Sequence, residues 1–178
     1  MRIATFNLES FGSSHRNAAA FKERAVVLRP QLDRLKADVL CFQEVDAPKV
    51  GGIRRTSDLK RLLEGMPYAE YSLLVSPGPS GVRPADVHNL VMLTHFPVIE
   101  QHIIRHDFVE PLGFRRRTAI PPDPDVTTLT WDRPLQHVVL GLPSGSRLHV
   151  FNVHLRARLA AAVPGQKSGP FAWETVSG

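Results

Sequence analysis

A short apolar run ends in two polar side chains at residues 38–45, which read Asp38-Val39-Leu40-Cys41-Phe42-Gln43-Glu44-Val45. Four successive apolar residues with no charge among them predict a β-strand that is covered on both faces. Because side chains alternate along a strand, Glu44 should share a face with Phe42 and Leu40, at the end of the strand. A carboxylate in that position is either a solvated strand end or a metal-binding or acid–base group.

Two other predicted strands end in polar groups in the same way. The first, Arg-Ile-Ala-Thr-Phe-Asn-Leu-Glu near the N-terminus, places Asn7 and Glu9 on one face if the strand continues that far. The other, Leu-His-Val-Phe-Asn-Val-His-Leu, places Asn152 and His154 on one face. Carboxylates and amides are ligands of hard cations such as Mg²⁺, and a histidine beside them suits phosphate binding or acid–base chemistry. A single histidine in an apolar strand is more often structural, so the recurrence on three strands carries the argument.

These segments resemble the opening motifs of the endonuclease/exonuclease/phosphatase superfamily, whose members have the DNase I-like fold. The similar segments are residues 2–9, 37–45 and 151–155, in the order and spacing of the family. The resemblance implies an α/β (α+β) fold, a two-sheet α/β/β/α sandwich with helices outside, and it assigns residues 1–178 to the N-terminal portion of one such domain. The family's later Gly-Asp-x-Asn and Ser-Asp-His motifs do not occur in this sequence, so the general base and second histidine that they supply are missing.

The resemblance also implies a function, the hydrolysis of a phosphoester with the help of Mg²⁺ or Mn²⁺. It makes Glu44 the principal metal ligand, with Asn7 and Glu9 as supporting ligands, directly or through water. It makes Asn152 and His154 catalytic residues, which orient the phosphate and neutralise its charge.

Two further residues are candidates for the same site. Arg133 lies in an Arg-Pro pair before a predicted strand, and in the family such an arginine contacts the substrate phosphate; the alternative is an arginine at a strand edge. Asn89 opens a segment similar to the family's Asn-x-x-x-Leu-Ser-x-x-Pro-Ile and could reach the site.

Two function classes stay open at this stage. The intact early motifs favour an active nuclease, phosphatase or phosphodiesterase. The missing late motifs favour a non-catalytic phosphate-binding or nucleic-acid-binding protein, or an inactive fragment, that keeps the fold. The substrate cannot be read from the sequence, because members of the superfamily act on DNA, RNA, inositol phosphates and sphingomyelin.

Composition is compatible with a phosphorylated partner. The chain has 178 residues, 43% hydrophobic and 22% charged, with a net charge of +5, which suits a polyanion such as nucleic acid without requiring one. The sequence shows neither the apolar core of a signal peptide nor the roughly 18 apolar residues of a membrane span, so we predict a cytoplasmic protein. Its single cysteine, Cys41, cannot form an internal disulfide and is predicted to be buried.

The remaining elements follow from apolar periodicity and chain breakers. A helix is predicted from Asn17 to Lys36, with a kink or restart near Pro30, because a proline removes one helical hydrogen bond. Further predictions are a short helix that ends at Glu64, an edge strand over residues 97–106, and the first turns of a helix over residues 171–176.

Overall fold

The structure is a computed structural model, and it describes residues 1–12, 18–115, 122–131, 133–155, 167–169 and 172–173. In chain order its elements are β1 (Ile3–Phe11), α1 (Ala18–Leu35), β2 (Val39–Val45), β3 (Lys49–Val50), β4 (Ile53–Arg54), α2 (Ser57–Leu63), a 3₁₀ helix (Pro67–Glu70), β5 (Ser72–Val75), β6 (Asn89–Thr94), β7 (Val98–Ile104), β8 (Leu112–Phe114), β9 (Thr127–Leu129), β10 (Leu135–Gly141), β11 (Arg147–Asn152), β12 (Lys167–Gly169) and β13 (Ala172–Trp173).

The chain divides into two compact units. The first contains Met1–Arg105 and Arg133–His154, and the second contains His106–Asp132 and Leu155–Gly178. The second unit includes two antiparallel strand pairs, β8–β9 and β12–β13. Because Ala172–Trp173 forms strand β13, the helix predicted over residues 171–176 is wrong for the residues that are described.

A four-stranded sheet in the order β1-β2-β6-β5 is the framework of the first unit. β1 and β2 are parallel, and α1 makes the crossover between them, as a parallel pair requires. Six of the seven residues of β2 are buried, so the predicted covering of this strand on both faces is confirmed. Leu40 and Phe42 pack toward the helices, whereas Val39 and Cys41 face a second sheet.

The second sheet has the order β11-β10-β7 and is antiparallel throughout. β7 lies at its edge, as predicted. The two sheets pack face to face through one apolar layer formed by Val39, Cys41, Met92, Phe96, Val138, Leu140 and Val150. Burial raises the pKa of the Cys41 thiol to about 11, so this cysteine behaves as a core residue. The mixed α/β sandwich is therefore confirmed.

Helices α1 and α2 cover the outer face of the first sheet. Leu28 and Leu32 of α1 are buried in the same cluster as Leu59 and Leu62 of α2. α1 continues through Pro30 as one helix, so the predicted restart does not occur; the buried leucines on both sides hold the helix against the sheet. Asn17, the predicted cap, lies outside the described residues. Among the described residues, no helix combines the length and the apolar character needed to cross a membrane.

Hydrogen bonds to Asp38 hold the start of β2, at the end of the sheet remote from Glu44. His95 Nε2 lies 3.0 Å from Asp38 Oδ1, and the backbone N–H of Arg2 donates to Asp38 Oδ2 at 2.6 Å. The hydrogen bond from His95, then that from Arg2, lowers the pKa of Asp38. A carboxylate whose folded pKa is lowered stabilises the fold above its unfolded pKa, and this contribution is lost as the pH falls through the folded value.

We therefore expect Asp38→Asn to lower the free energy of unfolding most at pH values above about 4, the ordinary pKa of an aspartate. The difference from the parent protein should shrink as the pH falls further, because the parent carboxylate becomes neutral too. Urea denaturation at a series of pH values measures this. A difference that stays constant from pH 6 to the acid limit would contradict the assignment.

Candidate functional site

Three of the predicted site residues meet at the carboxyl end of the parallel pair β1–β2. The Asn7 side-chain amide donates to Glu44 Oε1 at 3.2 Å. His154, two residues beyond β11, places its Nε2 3.3 Å from the same oxygen. The side chains of Glu44 and His154 are 20% and 14% exposed, so a ligand could reach them while bulk water is partly excluded.

Glu44 has a left-handed backbone conformation, with φ of 58°. Regular alternation would direct its side chain to the face of Phe42 and Leu40, which pack in the helix-side core. The left-handed residue interrupts the alternation, and the carboxylate contacts Asn7 instead. The predicted shared face of Glu44 with Phe42 and Leu40 is therefore wrong. A non-glycine residue in this conformation costs about 1–3 kcal/mol, and such strain is concentrated at functional sites.

A bulge at the end of β1 separates Glu9 from Asn7. Glu9 and Ser10 both have left-handed backbones, with φ of 48° and 52°, and the pairing with β2 shifts register between Asn7 and Phe11. The Glu9 backbone N–H donates to Asn7 Oδ1 at 2.8 Å, while its side chain is exposed. The predicted common face does not extend through the bulge, so Glu9 joins the site through its backbone, and its role as a metal ligand stays a prediction.

An arginine of α1 stabilises this bulge. The Arg24 guanidinium donates to the carbonyl oxygens of Leu8 and Glu9, the latter at 3.1 Å. It also lies over the Phe11 ring, 5.1 Å from the ring centroid. Arg24 therefore holds the strand end that carries Asn7, a role that no sequence pattern indicated.

Glu44 is held in its ionised form. Partial burial opposes ionisation, but the Asn7 amide, the nearby His154 and His88 rings and the Ser10 backbone N–H outweigh it and lower the pKa of Glu44. A carboxylate that remains charged in a partly buried site has the electrostatic character of a cation ligand.

Arg133 contacts His154 from the other side. Its Nη1 lies 3.0 Å from His154 Nδ1 and 3.2 Å from Nε2. His154 therefore lies between the Arg133 guanidinium, which is close to both ring nitrogens, and the Glu44 carboxylate. The Arg133 Nε atom is buried and has no hydrogen-bond partner among the described residues. An unsatisfied buried N–H of this kind costs about 1–3 kcal/mol.

Asn152 is buried in a network of amides behind the site, with 2% of its surface exposed. Its Oδ1 accepts from Gln43 Nε2 at 2.7 Å. Its Nδ2 group donates to Phe42 O, Val91 O and Gln136 Oε1 at 3.2–3.3 Å. These contacts connect the two sheets and use the hydrogen-bonding capacity of the amide. Direct contact of Asn152 with a phosphate stays a prediction, and the geometry supports a positioning role.

Asn89 does not join the site. Its Oδ1 accepts from the Ala85 N–H at 2.7 Å, and its Nδ2 donates to the carbonyl oxygens of Val45 and Ala85. These bonds hold the loop before β6 against the end of β2.

The same loop carries a residue that the sequence analysis missed. The His88 N–H donates to Asp46 Oδ1 at 3.1 Å, and His88 has a left-handed φ of 59°. Asp46 is buried, and burial raises its pKa. The signal for Asp46 was present in the sequence, since it directly follows the Gln-Glu-Val run, whereas His88 follows no motif.

We expect Asn152→Ala to reduce the free energy of unfolding by about 1–3 kcal/mol, because it leaves buried partners such as Gln136 unsatisfied. Gln101→Ala, which removes an exposed amide of β7 outside the network, is the matched control and should change stability by about 0.5 kcal/mol or less. Urea denaturation measures both. Equal effects of the two substitutions would contradict the structural role of the buried network.

Comparison with protein families gives a match over nearly the whole chain. The model of the endonuclease/exonuclease/phosphatase family matches residues 4–169. This agrees with the resemblance of the three strand motifs. No curated protein matches the sequence.

Solved structures with the same fold are similar to this chain at low sequence identity. A family protein from Leptotrichia buccalis matches with a TM-score of 0.54 and 16% identity, over 88% of this chain and 55% of that one. A family protein from Bacteroides thetaiotaomicron gives 0.53 and 18%, over 86% and 49%. A mannosyl-6-phosphatase from the same organism gives 0.51 and 17%, over 84% and 49%. The chain thus spans about half the length of the structures it matches, and the likeness concerns the fold.

Proposed function

We propose that this chain forms the metal-binding and phosphate-binding part of a phosphoester hydrolase. The proposal starts from the chain's membership of the endonuclease/exonuclease/phosphatase family. The observation that carries the proposal is the row Glu44, His154 and Arg133, in which a carboxylate, an imidazole and a guanidinium are in contact. The buried Arg133 Nε–H lacks an acceptor among the described residues. A phosphate oxygen is a suitable acceptor, because guanidinium groups bind phosphate through paired N–H donors.

The residues present fit a hard divalent cation, Mg²⁺ or Mn²⁺. Glu44 supplies an ionised carboxylate, with the Asn7 amide beside it. Mg²⁺ typically takes one or two carboxylates and completes its shell with water and substrate phosphate. Among the described residues, no group of three or more His, Cys, Asp or Glu side chains is placed to hold a metal ion. When bound, such a cation neutralises charge on the phosphoryl oxygens.

The protein groups then have distinct roles. Arg133 and His154 orient the phosphate, with His154 held in position between Arg133 and Glu44. Asn152 acts indirectly, since its buried network fixes the strand end that leads to His154. Glu9 is a supporting ligand that acts through water. The net charge of +5 suits a polyanionic substrate, and nucleic acid is one such substrate.

A second candidate is phosphate or nucleic-acid binding without hydrolysis. The sequence contains neither a Gly-Asp-x-Asn nor a Ser-Asp-His motif, so the residues that activate water in the family have no counterpart at those motifs. Loss of such a proton-transfer group typically lowers a rate by about 10²–10⁴-fold. We therefore expect the 178-residue chain to bind metal and phosphate and to hydrolyse phosphodiesters far more slowly than family members that carry both motifs.

The substitution Glu44→Gln tests the cation site. It removes the charge but keeps the shape, and we expect Mg²⁺ affinity to fall by at least about tenfold, since even partners of metal ligands contribute that much. Any Mg²⁺-dependent hydrolysis of bis(p-nitrophenyl) phosphate should disappear with it. Glu70→Gln, at an exposed position, is the control. Calorimetry and melting curves measure binding and folding. Unchanged Mg²⁺ binding in a folded Glu44→Gln protein would refute the assignment.

Arg133→Lys tests the phosphate site separately. Lysine keeps the positive charge but lacks the forked donors, so affinity for inorganic phosphate in the presence of Mg²⁺ should fall, while Mg²⁺ affinity alone changes little. The exposed Arg34→Lys is the control. Phosphate binding by Arg133→Lys at the parental affinity would show that Arg133 is a strand-edge residue with no contact to the ligand.

A further inference from the structure

The face of the second sheet that points away from the first carries a cluster of ring nitrogens. We call Glu100, His102, His137 and His149 the histidine face. His102 lies directly opposite His137 across β7 and β10. Val139 of β10 pairs with Glu100 of β7 on one side and with His149 of β11 on the other. Since Val138 and Leu140 of β10 are in the core between the sheets, strand alternation places the histidine face on the other side.

The members of the histidine face already contact one another. His137 Nε2 lies 3.0 Å from His149 Nδ1, and His102 Nε2 lies 3.1 Å from Glu100 Oε2. The His137 ring is stacked with His149 at 5.2 Å and 17°, and with His102 at 5.5 Å and 23°. On its other flank it stacks with Phe151 at 4.3 Å and 8°. The cluster is therefore assembled before any ligand binds.

The residue at the centre of the cluster, Val139, is buried. Val139 points to the same side as the histidine face, yet only 1% of its surface is exposed. Its cross-strand neighbours Glu100 and His149 lie on either side of it. Side chains that are already ordered lose less conformational entropy when they bind an ion.

The geometry favours a metal ion over a stacked base. Phe151 covers one face of the His137 ring, and the facing nitrogens of His137 and His149 share one hydrogen bond, which a bound ion would replace. Two nitrogens bound to one tetrahedral ion at about 2.0–2.1 Å are roughly 3.4 Å apart, and the two nitrogens of His137 and His149 lie at 3.0 Å. The separation is close to that of two ligands of one ion, and rotation of both rings would direct these two nitrogens at it.

We propose that His137 and His149 bind a transition-metal ion that prefers imidazole, such as Zn²⁺ or Cu²⁺, with His102 or Glu100 as a third ligand and water completing the shell. Among the described residues, no three such side chains converge on one point already. His102 and Glu100 are 53% and 46% exposed, so either side chain can rotate toward the pair. The nitrogen ligands distinguish this site from the oxygen-based site at Glu44, and it does not depend on the proposed function.

The test is calorimetric titration of the untagged 178-residue chain with Zn²⁺ in saturating Mg²⁺. We expect saturable binding of one ion that His137→Asn and His149→Asn each weaken by at least about tenfold. His95→Asn is the matched control, because His95 is a partly exposed histidine already paired with a carboxylate. It should leave Zn²⁺ affinity unchanged.

Three outcomes would overturn the proposal. They are no saturable Zn²⁺ binding, parental affinity in both folded variants, and loss of the bound ion only in Glu44→Gln, which would assign the ion to the Glu44 site. If a variant does not fold, imidazole nitrogen resonances of the parent protein decide. Zn²⁺-induced shifts at His137 and His149 support the proposal, and shifts confined to other histidines refute it.

Discussion

The buried amide network around Asn152 connects the elements on which the site depends. Asn152 is bonded to Gln43 of β2 and Gln136 of β10, so it joins the two sheets through polar contacts within an otherwise apolar interface. Glu44 follows Gln43 in the chain, and His154 lies two residues after Asn152. The hydrogen bonds that hold the two sheets in register therefore also set the distance between Glu44 and His154. A buried polar network that is satisfied specifies one arrangement, because every alternative leaves polar atoms unpaired.

Around this network, the site combines local strain with compensation from neighbours. Glu44 and Glu9 have left-handed backbones, each of which is unfavourable by itself. The bulge at Glu9 is held by Arg24 of α1, and the Glu44 carboxylate is held by Asn7 and His154. The strain redirects polar groups toward one another at the strand ends, where the regular β1 and β2 backbones would separate them.

The two polar clusters of the first unit differ in the atoms that they offer. At Glu44 the protein presents a carboxylate with the Asn7 amide, the His154 ring and the Arg133 guanidinium nearby, which suits a hard cation and a phosphate. On the outer face of the second sheet it presents imidazole nitrogens with little oxygen, which suits softer metals. The sheets thus carry two chemically distinct clusters of polar side chains that do not share a residue.

The sequence by itself determined the buried strand at residues 38–45 and the edge strand β7. It also determined the fold family and placed Asn7, Glu44 and His154 in motifs at strand ends. These features could be read because period-two burial and short motifs are local properties of the chain. Only the tertiary structure decided that Glu44 turns away from the face of Phe42, that Glu9 leaves the face of Asn7, and that Asn152 and Asn89 use their amides inside the protein. It also decided that α1 continues through Pro30. Each of these outcomes depends on hydrogen bonds or packing between residues distant in sequence, and alternation along one strand contains no information about them.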